Sequence, residues 1–185
     1  MARLVLLDRD GTINVDRADS VKTPGELILI PGAAAAIARL NEAGVRVAVV
    51  TNQSIVGRGV IGQDMLDRIH LEMRERLARE AGARLDAVFE CVDPPDRAGE
   101  RRKPNPGMLR EALRRFGASA AETPMIGDDL RDLQAAKAAG CPRVLVRTGK
   151  GAATQAAGVP ADLLPVAVHA DLAAAVAAYL GGAGG

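Results

Sequence analysis

The sequence is poor in aromatic side chains, with no tryptophan, one tyrosine and two phenylalanines among 185 residues. So few rings leave little to stack on the bases of single-stranded nucleic acid. Positive charge is not in excess either, because 24 lysines and arginines face 23 acidic residues for a formal net charge of +1. A chain without a bulk positive field has little attraction for nucleic acid or for an anionic membrane. We therefore expect no nucleic-acid partner.

Cysteine and long apolar runs are also scarce. Cys91 and Cys141 are the two cysteines, and an isolated pair in a protein without an export signal is more often two reduced thiols than a disulfide. No apolar stretch reaches the roughly 18 residues that a membrane-spanning helix needs, and the first residues enter a strand pattern without a signal-like segment. These features predict a cytoplasmic protein with no membrane partner.

The composition that remains is that of a globular domain. Hydrophobic residues make up 48% and charged residues 25% of the chain, which is enough apolar material for a sizeable core. We expect one domain over residues 1–185, ending in a flexible glycine-rich tail at 181–185. Residues 13–30 are polar and then apolar, and they are too few to form a large cap domain inserted in the chain.

Apolar strand patterns alternate with helical patterns along the chain, which predicts an α/β fold with a doubly wound, mainly parallel sheet. Strands are predicted at 3–7, 45–50, 85–89, 125–127 and 144–146, helices at 33–43, 65–77, 106–116, 133–139 and 172–180, and loops at 13–30, 55–61 and 152–165.

His70 lies in the helix predicted at 65–77, and we interpret it as a surface or boundary residue.

Two carboxylates follow the first predicted strand. Asp8 and Asp10 come directly after an apolar run, with Gly11 behind them. Ligands of open α/β sheets bind at the carboxyl ends of the strands, so chemistry is expected at this position. Asp-Gly is also common in turns, and from this stretch alone an acidic turn is about equally favoured.

Polar side chains also follow two later strands. Thr51 to Ser54 come after the second strand, and Asp128 and Asp129 come after the strand at 125–127. Hydroxyl and amide groups at such a position can donate hydrogen bonds to phosphoryl oxygens. An ordinary polar loop is the alternative for Thr51, and the acid that a helix N-terminus favours is the alternative for Asp129 and Asp132.

Basic residues precede the predicted helix at 106–116. Arg101, Arg102 and Lys103 are consecutive, and a proline lies near the first helical turn. Positive charge just before a helix N-terminus favours an anion there. A solvated basic cluster is the alternative.

These four segments, in this order, resemble the four motifs of the haloacid dehalogenase superfamily of phosphohydrolases, and residues 8–12 are similar to its DxDGT signature. The resemblance implies an enzyme in which Asp8 attacks phosphorus, Asp10 is the general acid and base, Thr51 and Lys103 hold the phosphoryl oxygens, and Mg²⁺ is bound by Asp8, Asp128 and the main-chain carbonyl of Asp10. A carboxylate is a competent nucleophile, and the crowded anions need such a cation.

Within the superfamily, residues 4–150 are similar to the D-glycero-D-manno-heptose-1,7-bisphosphate 7-phosphatase family. That resemblance implies a cytoplasmic enzyme that takes the C7 phosphate from a sugar phosphate through a phospho-aspartate, in the synthesis of ADP-heptose for the lipopolysaccharide core. We expect a monomer. The substrate site that the resemblance implies is formed by Asp16, Asp19, Asn52, Gln53, Ser54, Arg102 and Asp129. The anomer of the heptose is left open.

Three alternatives to this substrate stay open. A histidinol-phosphate phosphatase would use the same scaffold, with Asp129 or Asp19 facing the cationic amine of its substrate. The other two are a phosphatase for another small sugar phosphate and a protein that binds a phosphate ligand without turnover. Arg102 favours the bisphosphate, because a guanidinium suits a second phosphate group.

The sequence departs from the family pattern at two places. Many members hold the loop before Lys103 with a structural zinc, but of that ligand pattern only Cys91 matches here, and one thiolate cannot form a closed four-ligand site. We therefore predict no structural zinc, and expect packing and acid–base pairs to hold the loop. The candidates for those pairs are Asp96, Arg97, Glu100 and Arg101. At Asp129 some members carry a lysine, and an acid there is expected to weaken binding of a second phosphate or to bias the choice of anomer.

Overall fold

Six parallel strands form the centre of the computed structural model, which describes residues 3–182. They are β1 (Leu4–Leu7), β2 (Arg46–Asn52), β3 (Ala87–Cys91), β4 (Met125–Gly127), β5 (Arg143–Val146) and β6 (Val166–His169). Their order in the sheet is β3-β2-β1-β4-β5-β6, and each neighbouring pair is parallel. Leu7 of β1 is in register with Val49 on one side and with Ile126 on the other.

Helices cover both faces of this sheet. They are α1 (Ala33–Glu42), α2 (Ser54–Gly57), α3 (Gln63–Ala81), α4 (Gly107–Phe116), α5 (Leu130–Ala139), α6 (Gly151–Ala156) and α7 (Leu172–Gly182). None of these helices has the combination of length and hydropathy that crossing a membrane requires.

Strand β1 contributes to a core on each side of the sheet, because successive side chains of a strand point to opposite faces. Val5 and Leu7 pack in the cluster that includes residues of α1, α3 and α7. Leu4 and Leu6 pack in the cluster with residues of α4 and α5. All four side chains are fully buried, which is why this strand is a continuous apolar run rather than an alternating one.

The prediction of an α/β fold with a doubly wound parallel sheet is confirmed, and no large cap domain interrupts the described residues. The connection from β1 to α1 contains a short 3₁₀ turn at Pro24–Glu26. Of the predicted tail, Gly181 and Gly182 belong to α7, and residues 183–185 lie outside the described residues.

Several predicted elements differ from the structure. The stretch predicted as a loop at 152–165 contains most of α6, the sixth strand was not predicted, and α2 occupies part of the predicted connector at 55–61. The third strand lies two residues later than predicted, because its pairing with β2 runs from Ala87 to Cys91. Helix α5 begins three residues early, because Asp129 caps its N-terminus in a capping box with Asp132.

Candidate active site

The candidate site lies where the order of the strands reverses. The chain proceeds from β1 to β2 and β3 on one side, whereas β4, β5 and β6 extend the sheet on the other. Ligands of doubly wound sheets bind in the crevice at this switch point, outside the carboxyl ends of the strands. Asp8 follows β1 and Asp128 follows β4, so both carboxylates lie in that crevice.

Most of the predicted site residues line this one cleft, and Asp19 does not. Its neighbours Ala18 and Ser20 face the cleft, whereas the carboxylate of Asp19 is exposed and forms ion pairs with Arg17 and Lys22. The predicted residues that do line it are Asp8, Asp10, Asp16, Thr51, Asn52, Gln53, Ser54, Arg102, Lys103, Asp128 and Asp129.

Lys103 lies at the bottom of the cleft, and its side chain is only 3% exposed. Its ammonium group donates to Asp8 at 2.9 Å, to Asp132 at 2.6 Å and to the carbonyl of Val50 at 2.8 Å. Burial lowers the pKa of Lys103, but the two carboxylates outweigh this and raise the pKa above its usual value. The lysine is therefore a permanent cation against Asp8.

The main chain of Lys103 is also held in place. The Asn52 side chain donates to the carbonyl of Lys103 at 2.9 Å and accepts from its amide at 3.1 Å. Both ends of the Asn52 amide are thus used to fix the lysine. This asparagine, which is predicted to contact substrate, lines the cleft. In the structure its side chain contacts the main chain of Lys103.

Three carboxylates converge beside this lysine. Asp8, Asp128 and Asp132 each offer an oxygen, and these oxygens lie within 4.8 Å of one another. Burial raises the pKa of Asp8 and raises that of Asp128 to about 7, and the neighbouring anions add to both shifts. Hard oxygen donors crowded in this way fit Mg²⁺.

The place of Asp132 in this cluster was not predicted from the sequence. It was interpreted as helix N-terminal acid, and it does accept from the Asp129 amide at 3.1 Å. Its other oxygen accepts from Lys103, and the residue is 1% exposed. Its spacing from Asp128, four residues on into a helix, is the signal that could have indicated it.

The Asp10 carboxylate is held by three hydrogen-bond donors. It accepts from Arg9, Asn14 and Gln53, each at 2.9 Å. Burial raises the pKa of Asp10, but the charge and hydrogen bond of Arg9, with those of the two amides, outweigh it and lower the pKa. The carboxylate of Asp10 is thus engaged by these donors, and its main-chain carbonyl remains a predicted metal ligand.

Gln53 connects Asp10 to the second strand. Its amide nitrogen also donates to the Thr51 hydroxyl oxygen at 2.8 Å. Because that oxygen is accepting, the hydroxyl hydrogen of Thr51 is available for a phosphoryl oxygen. This geometry suits the predicted role of Thr51.

The interpretation of His70 as a surface or boundary residue is wrong. The residue is 7% exposed, and its ring contacts Arg9, which is fully buried, and Glu90. Sequence periodicity placed His70 beside the apolar positions of α3, but nothing local indicated a buried arginine as its partner.

The rim of the cleft is rich in cations, two of which the sequence analysis did not single out as site residues. Arg102 is buried and donates to the carbonyl of Asp93 at 2.7 Å. Arg131 and Lys150 also line the cleft, and the Lys150 ammonium lies 3.5 Å from Asp16. These positive groups are what a second anion on a substrate needs.

The acid at position 129 does not act as a free anion. Arg131 binds the Asp129 carboxylate with two nitrogens, at 3.1 and 2.7 Å. Burial raises the pKa of Asp129, but the bonds and charge of Arg131 lower it to about 2. The charge of Asp129 is thus neutralised within the rim, so the structure gives no support to the expected weakening of second-phosphate binding.

A glycine-containing turn after β5 packs against the back of the carboxylate cluster. The amide of Lys150 donates to Asp128 at 2.7 Å. Gly149 has a φ of +55°, and a Cβ there would lie 2.1 Å from the Asp128 carboxylate and 2.5 Å from the Cα of Gly11. Only glycine allows this approach, so the turn orients Asp128.

The loop before Lys103 is held by hydrogen bonds that differ from the predicted pairs. The Asp93 carboxylate accepts from the Gly99 amide at 3.1 Å. Arg101 pairs with Glu111 at 2.7 Å and donates to the carbonyl of Glu90 at 2.9 Å. Within residues 3–182, the ion pairs expected among residues 96, 97, 100 and 101 are not formed, because Arg101 instead points toward α4 and β3.

Comparison with known proteins identifies similar chains. The HAD-hydrolase-like family pattern matches residues 100–175. The D-glycero-beta-D-manno-heptose-1,7-bisphosphate 7-phosphatase of Bordetella bronchiseptica is 46% identical over 156 residues, 84% of this chain and 87% of that protein. The protein of the same name from Pseudomonas aeruginosa is 42% identical over 96% of this chain and 97% of its own.

Solved structures agree with these sequence matches. A crystal structure of D,D-heptose 1,7-bisphosphate phosphatase from B. bronchiseptica, complexed with magnesium and phosphate, superposes with a TM-score of 0.91 at 44% identity, and the match covers 97% of this chain and 99% of that one. The corresponding phosphatase of Burkholderia thailandensis gives 0.74 at 44% identity, over 96% and 98% of the two chains.

Proposed function

Because the chain belongs to the D-glycero-beta-D-manno-heptose-1,7-bisphosphate 7-phosphatase family of haloacid dehalogenase-like hydrolases, we propose that it is a Mg²⁺-dependent phosphatase that removes the C7 phosphate of a D-glycero-D-manno-heptose 1,7-bisphosphate. The observation that carries the proposal is the buried contact of Asp8 with Lys103, beside Asp10 and Asp128, in a cleft with a cationic rim.

The first half of the reaction forms a phospho-aspartate. An oxygen of Asp8 attacks phosphorus, and the bond between phosphorus and the C7 oxygen breaks. Lys103 and the Thr51 hydroxyl hold the phosphoryl oxygens as the charge moves. Asp10 gives its proton to the departing sugar oxygen.

Asp10 must carry a proton for that step. Arg9 and the hydrogen bonds of Asp10 favour its ionised form, whereas a phosphate dianion bound beside it would disfavour a second negative charge. In this proposal, binding of the substrate promotes the acid form in which Asp10 can act. In the second half, Asp10 takes a proton from the water that attacks phosphorus, and Asp8 is released with inorganic phosphate.

The residues that would hold Mg²⁺ are Asp8, Asp128 and the main-chain carbonyl of Asp10. The negative charge between these carboxylates and the phosphoryl group would be neutralised by the ion when it is bound. Asp132 contributes by holding Lys103 in the same cluster.

The rim supports the bisphosphate over histidinol phosphate. Arg102, Arg131 and Lys150 outnumber Asp16 and Asp129, the carboxylates with which Arg131 and Lys150 pair, so this rim keeps a net positive charge for a second phosphate. A cationic amine would instead need a free carboxylate. Asp19 lies outside the cleft and Asp129 is bound by Arg131, so neither is available to it.

The test of the reaction is a pair of Asp→Asn variants. Asp8→Asn removes the nucleophile, so turnover should fall to background while the circular dichroism spectrum and unfolding temperature remain those of a folded protein. Asp19→Asn changes an exposed carboxylate outside the cleft and should keep full activity. Full turnover by Asp8→Asn, or by enzyme treated with EDTA, would disprove the proposal.

The test of the substrate is a comparison of kcat/KM for both anomers of heptose 1,7-bisphosphate with that for histidinol phosphate. We expect the bisphosphate to be preferred, and Arg102→Ala to lower kcat/KM on it roughly tenfold or more, as loss of a charge-assisted hydrogen bond does. A preference for histidinol phosphate would overturn the substrate assignment. An Arg102→Ala variant with the wild-type kcat/KM on the bisphosphate would also overturn it.

We extend the proposal to a monomer that acts in the cytoplasm on a small sugar phosphate. The enclosure of the whole carboxylate cluster by one chain supports the monomer, since no second copy is needed to complete the cleft. Light scattering at micromolar concentration tests the first point, and cell fractionation tests the second.

A further inference from the structure

A series of hydrogen-bonded polar groups extends from Asp10 through the buried Arg9 and His70 to Glu90 on β3, which is partly exposed. Arg9, which is 0% exposed, donates to Asp10 at 2.9 Å and lies 3.2 Å from Nε2 of His70. The other ring nitrogen, Nδ1, lies 2.9 Å from Glu90. The second oxygen of Glu90 accepts from Gln63 at 2.5 Å. These hydrogen bonds therefore join the ends of β1 and β3 through α3.

The direction of each hydrogen bond follows from the chemistry of the groups. A guanidinium can only donate, so Nε2 of His70 must accept from Arg9. The ring proton is then on Nδ1 and is donated to Glu90. This places His70 in the Nδ1–H tautomer, with Glu90 holding the ring in that state.

Arg9 depends on this histidine for its orientation. Its Nε has no hydrogen-bond partner among residues 3–182, so its two bonds are the one to Asp10 and the one to His70. Losing the acceptor would leave a buried charged group free to turn away from Asp10. His70 thus sets the angle at which Arg9 approaches Asp10.

We propose that His70, held by Glu90, is a positioning residue that acts through Arg9 to hold the Asp10 carboxylate in place for proton transfer to the leaving group. The inference rests on the proposed function, since it assigns Asp10 the role of acid. A residue that only fills the core would support the fold and leave proton transfer unaffected.

Two phosphate ester substrates distinguish a positioning role of His70 from a purely structural role. The sugar oxygen of a heptose bisphosphate must be protonated as it leaves, whereas p-nitrophenolate leaves as a stable anion. The ratio kcat/KM reports the steps up to departure of the leaving group, before Asp10 acts as a base. A misplaced Asp10 should therefore lower kcat/KM for the sugar ester and leave that for p-nitrophenyl phosphate largely unchanged.

The experiment compares three variants on α3. His70→Leu removes the acceptor, and it should lower kcat/KM about tenfold or more on the bisphosphate and less than about threefold on p-nitrophenyl phosphate. His70→Gln keeps an acceptor for Arg9 and should recover most of the loss. Ile69→Val changes an apolar core residue of the same helix and leaves the hydrogen bonds from Asp10 to Glu90 in place. It should not lower kcat/KM for either ester selectively.

Nitrogen-15 NMR gives a readout that does not use activity. The protein has two histidines, His70 and His169, so a His169→Gln variant assigns the signals of His70. The expected spectrum is that of the Nδ1–H tautomer, changed by Glu90→Gln. An Nε2–H tautomer would overturn the inference.

The kinetic outcomes also separate the two hypotheses. Equal losses on both esters, or no loss in His70→Leu, would overturn the positioning role alone and leave the phosphatase assignment intact. If wild-type enzyme prefers histidinol phosphate, that ester serves as the alkyl substrate and only the substrate assignment fails. Wild-type enzyme that hydrolyses neither ester overturns both proposals.

Discussion

At the scale of single residues, the site balances buried charges of both signs. Lys103 faces Asp8 and Asp132, and Arg9 faces Asp10. A buried charge that loses its partner is far more costly than an exposed one. The cleft therefore holds its reactive carboxylates in place with fixed cations while leaving part of the negative charge for a metal.

Arg131 gives a prediction at this scale. Arg131→Met removes the two-nitrogen contact with Asp129 and leaves Lys150, at 3.8 Å, as the remaining ion-pair partner of that carboxylate. The less neutralised carboxylate repels the second phosphate, so KM for heptose 1,7-bisphosphate should rise about tenfold with kcat changed less than about twofold. The double variant with Asp129→Asn should recover part of this loss. Steady-state kinetics of the two variants make the measurement.

The matched control is Lys137→Met. Lys137 forms an ion pair with Asp162 at 2.8 Å, and neither residue lines the cleft. This change should leave KM unaltered. If Arg131→Met behaves like the control, then Arg131 does not take part in recognition of the second phosphate.

At the scale of elements, the turns at the carboxyl ends of the strands deliver the site. The turn after β5 is an example, because it carries Lys150 to the rim and presses Gly149 against Asp128. Two backbones approach closely there, so the turn has no room for a side chain.

Gly149→Ala tests the fit of this turn. The added methyl group would meet the Asp128 carboxylate and the main chain of Gly11, and displacement of a catalytic group by about 1 Å can lower kcat about a hundredfold. Gly158→Ala is the control, because Gly158 also has a positive φ, +86°, with open space around it. It should cost about 1 kcal/mol of stability and no activity.

Kinetics and chemical unfolding of both glycine variants distinguish the two effects. Similar small losses of stability with full activity in both would show that Asp128 tolerates a change in the turn behind it. Loss of activity in Gly158→Ala would show that backbone strain alone explains the result.

The loop before α4 gives the second prediction at this scale, which concerns zinc. Asp93 accepts from Gly99, and Asn105 donates to the carbonyl of Gly99 at 3.0 Å, so hydrogen bonds cross the loop where thiolates would otherwise bind a metal. Protein purified without added zinc should contain much less than one zinc per chain, and added zinc should not raise its unfolding temperature. Near-stoichiometric zinc in elemental analysis would contradict this.

A pair of variants relates the loop to its hydrogen bonds. Asp93→Ala removes the acceptor for Gly99 and should cost about 1 kcal/mol, with faster amide exchange across residues 93–105. Asp96→Ala changes an exposed side chain on the same loop and should cost nothing measurable. Equal exchange rates in the two variants would show that Asp93 does not hold the loop.

At the scale of the whole molecule, the carboxylate cluster couples folding to metal binding. Asp8 and Asp128 follow different strands, β1 and β4, and their negative charges repel each other in the folded state even though Lys103 contacts Asp8. A cation that binds the folded chain and not the unfolded one stabilises it by mass action.

We therefore expect Mg²⁺ at a hundred times its dissociation constant to stabilise the protein by about 2.7 kcal/mol, which raises the unfolding temperature by about 5–10 °C for a chain of this size. Asp128→Asn removes one anion, so it should raise the unfolding temperature without Mg²⁺ and abolish most of the shift with it. Calorimetry with EDTA and with Mg²⁺ measures both. An unchanged shift in Asp128→Asn would show that the ion binds elsewhere.

The local pattern of residues was enough to predict the order of most elements and the position of the reactive groups. Apolar runs such as Leu4–Leu7 end abruptly in polar residues, and strand ends of a parallel sheet meet at one edge, so Asp8, Thr51 and Asp128 could be assigned to one cleft in advance. Short, half-exposed elements such as β6 carry too little of this pattern to be predicted.

The pairing of these groups was decided by the tertiary structure alone. Lys103 and Asp8 are 95 residues apart, and Arg9 and His70 are 61 residues apart. Nothing in the local sequence states which buried cation meets which acid, because that depends on how β1, β2 and β4 align and on how α3 and α5 pack against them. That packing also explains why Asp19 lies outside the cleft, why Asp129 is neutralised and why His70 is buried.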